Sequence, residues 1–466
     1  MLFPHGTRAS DLIIQNARVI DGTGAPPRED VEILIRNGQI DQISTHLSVG
    51  GIPTLDVAGA TVLPGLIDAH VHFAAAPGGG FRDDSAQTRR ELNREHLRAY
   101  LANGVTTVFE PGSPIEAVRE VQDLLAEGAS GPRYLTTGPM VRVPGGFGAE
   151  GGGTVHTPED VEAVLDLIES IGGVGVKLTT EQGFNPFGSL PTYSPEIQRA
   201  IVEGATRRGL PVYVHAMSER DAELALDLGA HAIMHSPAGG VWTGQFFGTD
   251  DLSEEFVARM VGSGAYQLTT FSILDTWPGA YDAKRLDDPL VRLTVPEVER
   301  DTARDPSAVR FFYVSMLGFA VPWTFEFARP WLAQRLWSPE NLREGLRYSQ
   351  RNVRRLHLVG VPIVAATDAP SLWPFAIYHF HGPQTAREVE LLGEAGLAPI
   401  EAIVAATRTP SRMLGLEDEI GTVEVGKSAD LLIVGGDPLQ DLGALRRVRW
   451  VVRAGTARTP EQWMNE

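Results

Sequence analysis

The middle of this chain, residues 64–411, alternates short apolar runs with amphipathic helical stretches. That alternation constrains the fold more than any other feature. A strand, a helix and a further strand return the chain in one direction, so the strands are expected to be parallel and covered by the helices. Strand candidates are Val62–His72, Val105–Phe109, Tyr134–Thr137, Gly173–Thr179, Pro211–His215, Ala232–His235, Ala265–Thr270 and Pro362–Thr367. Helix candidates between them include Ala86–Asn103, Pro158–Ile171, Pro195–Arg208 and Glu219–Leu228. Gly104, Gly209 and Gly229 stand where helix C-caps are expected. These units fit a (β/α)8 TIM barrel of the α/β class. A doubly wound open sheet is the alternative, but no glycine-rich dinucleotide fingerprint follows any strand.

The two chain ends have a different texture. Asp11–Ile14, Ala17–Ile20, Val31–Ile35 and Gln39–Ile43 read as short strands, the last two joined by an Asn37-Gly38 hairpin turn. Gly421–Lys427, Ala429–Val434 and Val448–Val452 continue the pattern near the C-terminus, with a turn at Ala454-Gly455. Each end alone is small. Residues 1–63 and 412–466 are therefore expected to meet as one small β domain beside the barrel of residues 64–411.

The rhythm breaks over about 237–355, which reads as an insertion rich in aromatics, among them Trp242, Phe246, Phe271, Trp277, Phe312, Trp323 and Trp331. Such an excess fits helix core, a pocket lining or a subunit contact, and the last of these motivates an expected homo-oligomer.

Composition narrows the partners. The net charge of −19 argues against nucleic acid, whose phosphates require a basic surface. No apolar run approaches the roughly 20 residues of a membrane helix. Met1–Gln15 shows no basic stretch ahead of an apolar one, so no signal peptide is expected and the default location is cytoplasmic. The chain has no cysteine, which removes thiolate ligands from consideration.

Barrels do chemistry at the C-terminal ends of their strands. There the sequence offers His70 and His72, then Lys177, His215, His235 and Asp368. Two histidines at i and i+2 on a strand face the same side and can serve one metal. Taken singly, each residue has a plain alternative: strand histidines are often structural, and an aspartate after a strand is often a helix N-cap. Lys177 is more telling, because an ammonium inside an apolar strand is costly to bury. Imidazole and carboxylate together suit zinc and similar ions, with room left for water.

The motifs Pro64-Gly65-Leu66-Ile67-Asp68-Ala69-His70-Val71-His72, Val176-Lys177, His215, His235, Thr367-Asp368-Ala369 and Gly421–Leu431 resemble the amidohydrolase superfamily. The resemblance is nearest to its imidazolonepropionase-like and Xaa-Pro dipeptidase-like branch. It implies a distorted (β/α)8 barrel with a small β-sandwich formed by both chain ends. It implies two divalent metal ions, expected as Zn2+: His70, His72 and Asp368 at the more buried one, His215 and His235 at the other, and N6-carboxylated Lys177 between them. A metal-bridging hydroxide would attack a C–N bond of an amide, cyclic amide or peptide-like small molecule, with Asp368 carrying the proton. Where members of this branch often carry Gly-Gly-His, this chain has Gly145-Gly146-Phe147, and where many carry His-Ala-His it has His215-Ala216-Met217. His156, His379 and His381 are the candidate substrate contacts. The aromatic insertion points to a bulky apolar group on the substrate. An ester, lactone or organophosphate hydrolase with the same site is a second reading, and a catalytically silent oligomeric scaffold a third.

Overall fold

A computed structural model describes residues 11–74, 86–148, 151–182, 190–237, 251–278, 280–318, 331, 338–370 and 377–466. The first strands are β1 (Leu12–Val19), β2 (Arg28–Arg36), β3 (Gln39–Ser44), β4 (Thr54–Asp56) and β5 (Thr61–Pro64). The two short runs expected over residues 11–20 are one strand, β1, whose pairing to β2 is interrupted near Asn16, a residue at φ 55°. The Asn37-Gly38 turn has both residues at positive φ, which matches the twist of the flanking strands β2 and β3.

The middle supplies β6 (Leu66–Asp68), β7 (Val105–Pro111), β8 (Arg133–Gly138), β9 (Met140–Val141), β10 (Val176–Thr179), β11 (Val212–His215), β12 (Ala232–Met234), β13 (Tyr266–Leu268) and β14 (Ile363–Val364). They form two parallel sheets, β6-β7-β8 and β9-β10-β11-β12-β13-β14. Backbone contacts join the sheets on both sides. Val174 N–H donates to Thr136 O at 2.8 Å, and Val71 bridges Ala369 in parallel register.

The apolar run Val62–His72, expected as one strand, is cut at Gly65. Its first half, β5, pairs with β1, while its second half, β6, pairs with β7. Gly65 N–H donates to Asp430 O, and a Cβ at this position would sit 2.1 Å from Thr106 Oγ1. Only glycine allows the chain to cross between the two sheets so closely.

The C-terminal strands are β15 (Leu431–Val434), β16 (Val448–Arg453) and β17 (Thr456–Arg458). They enter the sheet of the N-terminal strands in the order β17-β16-β15-β5-β1-β2-β3, with β4 beside β1. Gly421–Lys427, expected as a strand, is irregular, because its groups bond elsewhere: Val423 N–H to Asp21 O and Gly426 N–H to Ile40 O. The edge strand β3 thereby bonds back toward the start of β15. Ile14, Val19, Ile33, Ile40, Val62, Leu431 and Val452 share one core within this curled sheet.

Helices cover the parallel strands. In Pro158–Ser170 the residues Val161, Val164, Leu165 and Ile168 form one buried stripe, and Thr157 caps the start by accepting from Asp160 N–H. The expected helix Pro195–Arg208 runs over those residues and ends at Gly209 in the left-handed region. Helices 289–294, 297–304, 306–318 and 339–358 follow β13 in the expected insertion. Phe271, Trp277 and Phe312 are buried there, with the Trp277 and Phe312 rings 5.5 Å apart. Trp331 is 63% exposed. Trp242, Phe246 and Trp323 lie outside the described residues. No helix among the described residues is long and apolar enough to cross a membrane.

Candidate metal centre

His70 and His72 follow directly on β6. Val71 between them is fully buried and pairs with Ala369, so the alternation of the strand carries both imidazoles to one side. Their Nε2 atoms stand 3.1 Å apart. Asp368 follows β14 and brings Oδ1 to 3.3 Å from His70 Nε2 and 3.0 Å from His72 Nε2. All three residues are buried, and one potential ligand atom from each lies within 4.8 Å of the others.

Two backbone hydrogen bonds and one buried carboxylate hold these strand ends together. Asp368 N–H donates to His70 O at 2.7 Å, and His72 N–H to Ala369 O at 2.8 Å. Asp68 lies below them and accepts from Thr367 N–H at 3.0 Å, Thr367 Oγ1 at 2.8 Å and Thr385 Oγ1 at 2.7 Å. Burial pushes its carboxyl up to about 6 even against these hydrogen bonds. In the sequence Asp68 looks like no more than part of an apolar run. A carboxylate inside such a run was the signal, since it must find partners there.

The donor set fits a divalent cation. Two nitrogens and a carboxylate oxygen crowd one point, so a positive charge must stand among them if the nitrogens present lone pairs. A proton serves poorly, because burial, followed by the charge of Lys177, holds His70 well below its ordinary range. Buried neutral imidazoles and a carboxylate are the ligands zinc and related ions take.

The remaining strand-end residues gather close by. The His215 and His235 rings lie 4.3 Å apart, and His235 lies 5.2 Å from His70. His235 Nδ1 contacts Thr270 Oγ1 at 3.1 Å. His215 Nε2 is buried and has no hydrogen-bond partner among the described residues, and Glu181 Oε2 stands 4.0 Å away. Glu181, buried just after β10, is a further polar residue with no distinguishing signal in the sequence. Lys177 is 1% exposed, and its Nζ rests against Met234 Sδ. Burial lowers its pKa to about 7, with Asp368 opposing. Gly112 packs against its stem, where a Cβ would stand 2.7 Å from Lys177 Cγ.

Three non-glycine residues at successive strand ends lie in the left-handed region: His235 at φ 71°, Thr270 at φ 56° and Asp368 at φ 59°. Each costs of order 1–3 kcal/mol and persists only where neighbours enforce it, as at functional sites.

The candidate substrate contacts differ in placement. His379 is buried near Asp368, its Nε2 3.3 Å from Ser272 Oγ, and burial lowers its pKa to about 4. His381 is packed in an aromatic stack, 4.0 Å from the His96 ring and 5.1 Å from Phe73, with Nδ1 3.1 Å from Tyr100 Oη. His156 is exposed beside the start of helix Pro158–Ser170, its N–H donating to Asp160 Oδ2. Phe147, in the Gly145-Gly146-Phe147 element, stacks on His215 with ring centres 4.4 Å apart and remains partly exposed.

Parallel strands whose C-terminal ends converge on histidines and an aspartate form a candidate metal centre. Comparison with known proteins supplies the class, a hydrolase acting on C–N bonds. The Amidohydrolase family matches residues 61–267 and 332–457, and the chain belongs to that family. An uncharacterised protein of Mycobacterium tuberculosis is 24% identical over 444 residues, which is 94% of each chain. Among solved structures, a Xaa-Pro dipeptidase with bound methionine matches with a TM-score of 0.71 and 22% identity, over 97% of this chain and 100% of the other. Ochratoxinase of A. niger matches with a TM-score of 0.70 and 18% identity, over 97% and 96%.

Proposed function

We propose that the protein is a two-metal amidohydrolase that cleaves an amide, cyclic amide or peptide-like bond in a small molecule carrying a bulky apolar group. The observation that carries this reading is the buried convergence of His70, His72 and Asp368, with Lys177, His215 and His235 beside it. Two parallel sheets joined as a (β/α)8 barrel would require support it. The two parallel sheets bond to each other on both sides, and Ala69, Phe109, Tyr213, Ala232, Met234, Leu268, Val364 and Ala366 share an interior cluster.

Bound divalent ions supply two things to such a reaction: polarisation of the scissile carbonyl and a water that ionises near neutral pH. In this reading His70, His72 and Asp368 would hold one ion and His215 and His235 the other, and Lys177 would supply further oxygen ligands as a carbamate, formed when its neutral amine takes up carbon dioxide and releases a proton. A lysine pKa brought to about 7 by burial keeps much of the amine neutral for that reaction. Asp368 turns Oδ1 to the histidines, which leaves Oδ2 to take the proton of the attacking water and return it to the leaving nitrogen. Partly exposed Phe147 on His215 offers an aromatic surface beside the candidate ligands, which favours an aryl or other apolar group there. The matched Xaa-Pro dipeptidase structure suits a peptide-like substrate.

The test is a screen of zinc-loaded protein against N-acyl amino acids, Xaa-Pro dipeptides, cyclic ureides and aryl esters, together with metal analysis. Turnover of amides bearing apolar groups by protein holding about two ions per chain supports the reading. Activity confined to small polar amides removes the apolar-group element. Activity confined to esters replaces the reading with an esterase. Failure to retain any metal overturns it.

A further inference from the structure

We infer that Glu110 and Ser113 are positioning residues that fix His72 in the tautomer with its proton on Nδ1, so that Nε2 presents a bare lone pair to a metal. The inference rests on the metal-centre reading above but concerns residues that reading leaves unused.

The available hydrogens settle which nitrogen of His72 is protonated. Ser113 Oγ lies 2.6 Å from Glu110 Oε1 and 3.0 Å from His72 Nδ1. Its hydroxyl has a single hydrogen for these two neighbours. Glu110 Oε1 also receives Phe73 N–H at 2.6 Å, and Glu110 Oε2 receives Tyr134 Oη–H at 2.5 Å. Burial raises the Glu110 pKa, and the hydrogens of Ser113, Tyr134 and Phe73 oppose that rise by favouring the carboxylate; as a carboxylate Glu110 accepts at both oxygens, and the Ser113 hydrogen goes to it. Ser113 then faces His72 with a lone pair, and only an Nδ1–H can meet that lone pair favourably. The opposite tautomer would set two acceptors 3.0 Å apart in a site where Glu110 and Ser113 are both fully buried and no water can relieve them.

The same carboxylate fixes position as well as tautomer. It grips the backbone of Phe73, the residue after His72, and through Ser113 the imidazole itself. Both ends of the His72 side chain are therefore referred to one point on β7. Partners that orient a ligating histidine typically alter metal affinity 10–100-fold when removed.

Zinc dissociation constants of the full chain, measured by chelator competition, test the inference. Ser113→Ala is expected to weaken zinc binding by about 10–100-fold while the metal-free protein keeps its circular dichroism. Glu110→Gln is the conservative variant. Its carbonyl oxygen can still accept from Phe73 and Ser113 while its amide faces Tyr134, so affinity should stay within about threefold. A Ser113→Ala protein that melts lower but binds zinc within about twofold of the parent overturns the inference and reduces the residue to a structural one. A parent that binds no zinc overturns the metal-centre reading itself, so the two failures are distinct.

Discussion

Asp368 Oδ1 lies 3.0 Å from His72 Nε2, although the two residues close opposite ends of the run of parallel strands. Their meeting depends on backbone: His72 N–H reaches Ala369 O, and Asp68 gathers Thr367 and Thr385 beneath them. The same contact joins the first and last parallel strands and assembles the candidate ligands.

Asp368→Asn keeps the shape of the side chain and removes its charge and its capacity to take a proton. Its rate on any substrate found is expected to fall by about 10²–10⁴-fold, the usual scale of general acid–base catalysis. Unchanged kcat would show that the proton travels by another group.

Lys177→Ala is expected to lower bound metal from about two ions per chain to one. Retention of both with normal activity would refute the bridging role. Gly112→Ala is a second probe of the same side chain. Its Cβ would press on Lys177 Cγ from 2.7 Å at a φ of 81°, so a stability loss of about 1–3 kcal/mol is expected with a shifted lysine.

Removal of metal should destabilise the fold. A ligand at about 100 times its Kd stabilises by about 2.7 kcal/mol. Dialysis against chelator should lower both Tm and activity, and zinc should restore both. A Tm indifferent to chelator, with zinc uptake verified, would count against a structural link between ligands and strands.

The pH dependence of stability should carry a contribution from Asp275. Burial works against its charge, yet hydrogen bonds from Arg387 and Arg285 at 2.9 Å and 2.5 Å hold its pKa down to about 2. A carboxyl depressed on folding stabilises above its unfolded pKa, and that stability is lost as pH falls through its folded value. The contribution is about 2 kcal/mol, lost between about pH 4 and pH 2. Denaturant unfolding of Asp275→Asn should show a gap from the parent at pH 6 that narrows through this window. A gap of constant size would contradict the assignment.

Phe147→Ala should raise KM for an apolar or aryl amide by about tenfold and leave kcat nearly unchanged, since one lost aromatic contact is worth about 0.5–1.5 kcal/mol. An equal rise for small polar amides would mean that Phe147 supports His215 rather than substrate.

Much of the fold was legible because its signals are local. Strand and helix alternation, the Asn37-Gly38 turn and the capping glycines act over a few residues, and the observed elements fall close to the expected ranges. The run Val62–His72 misled, because apolar continuity reads the same whether or not the partner strand changes midway. Gly65 marked the break, but its reason, the approach of Thr106, is a contact between distant segments. Asp68, Glu110, Ser113 and Thr270 were missed for a similar cause. Their chemistry is ordinary in sequence and becomes specific only through the partners each one meets.

Local pattern was enough to place His70, His72, His215, His235 and Asp368 at strand ends and Lys177 inside a strand, in a chain with no thiolate to compete. Periodicity is enough for that, since a residue's place on a strand follows from its neighbours. That His70, His72 and Asp368 converge within a few ångströms, that Lys177 is buried, and that His381 packs away among Phe73, His96 and Tyr100 while His379 stays near Asp368 follow from the folded packing alone. Distance and burial arise from packing between segments far apart in the chain, and on these depend the charge state of a lysine and the tautomer of a histidine.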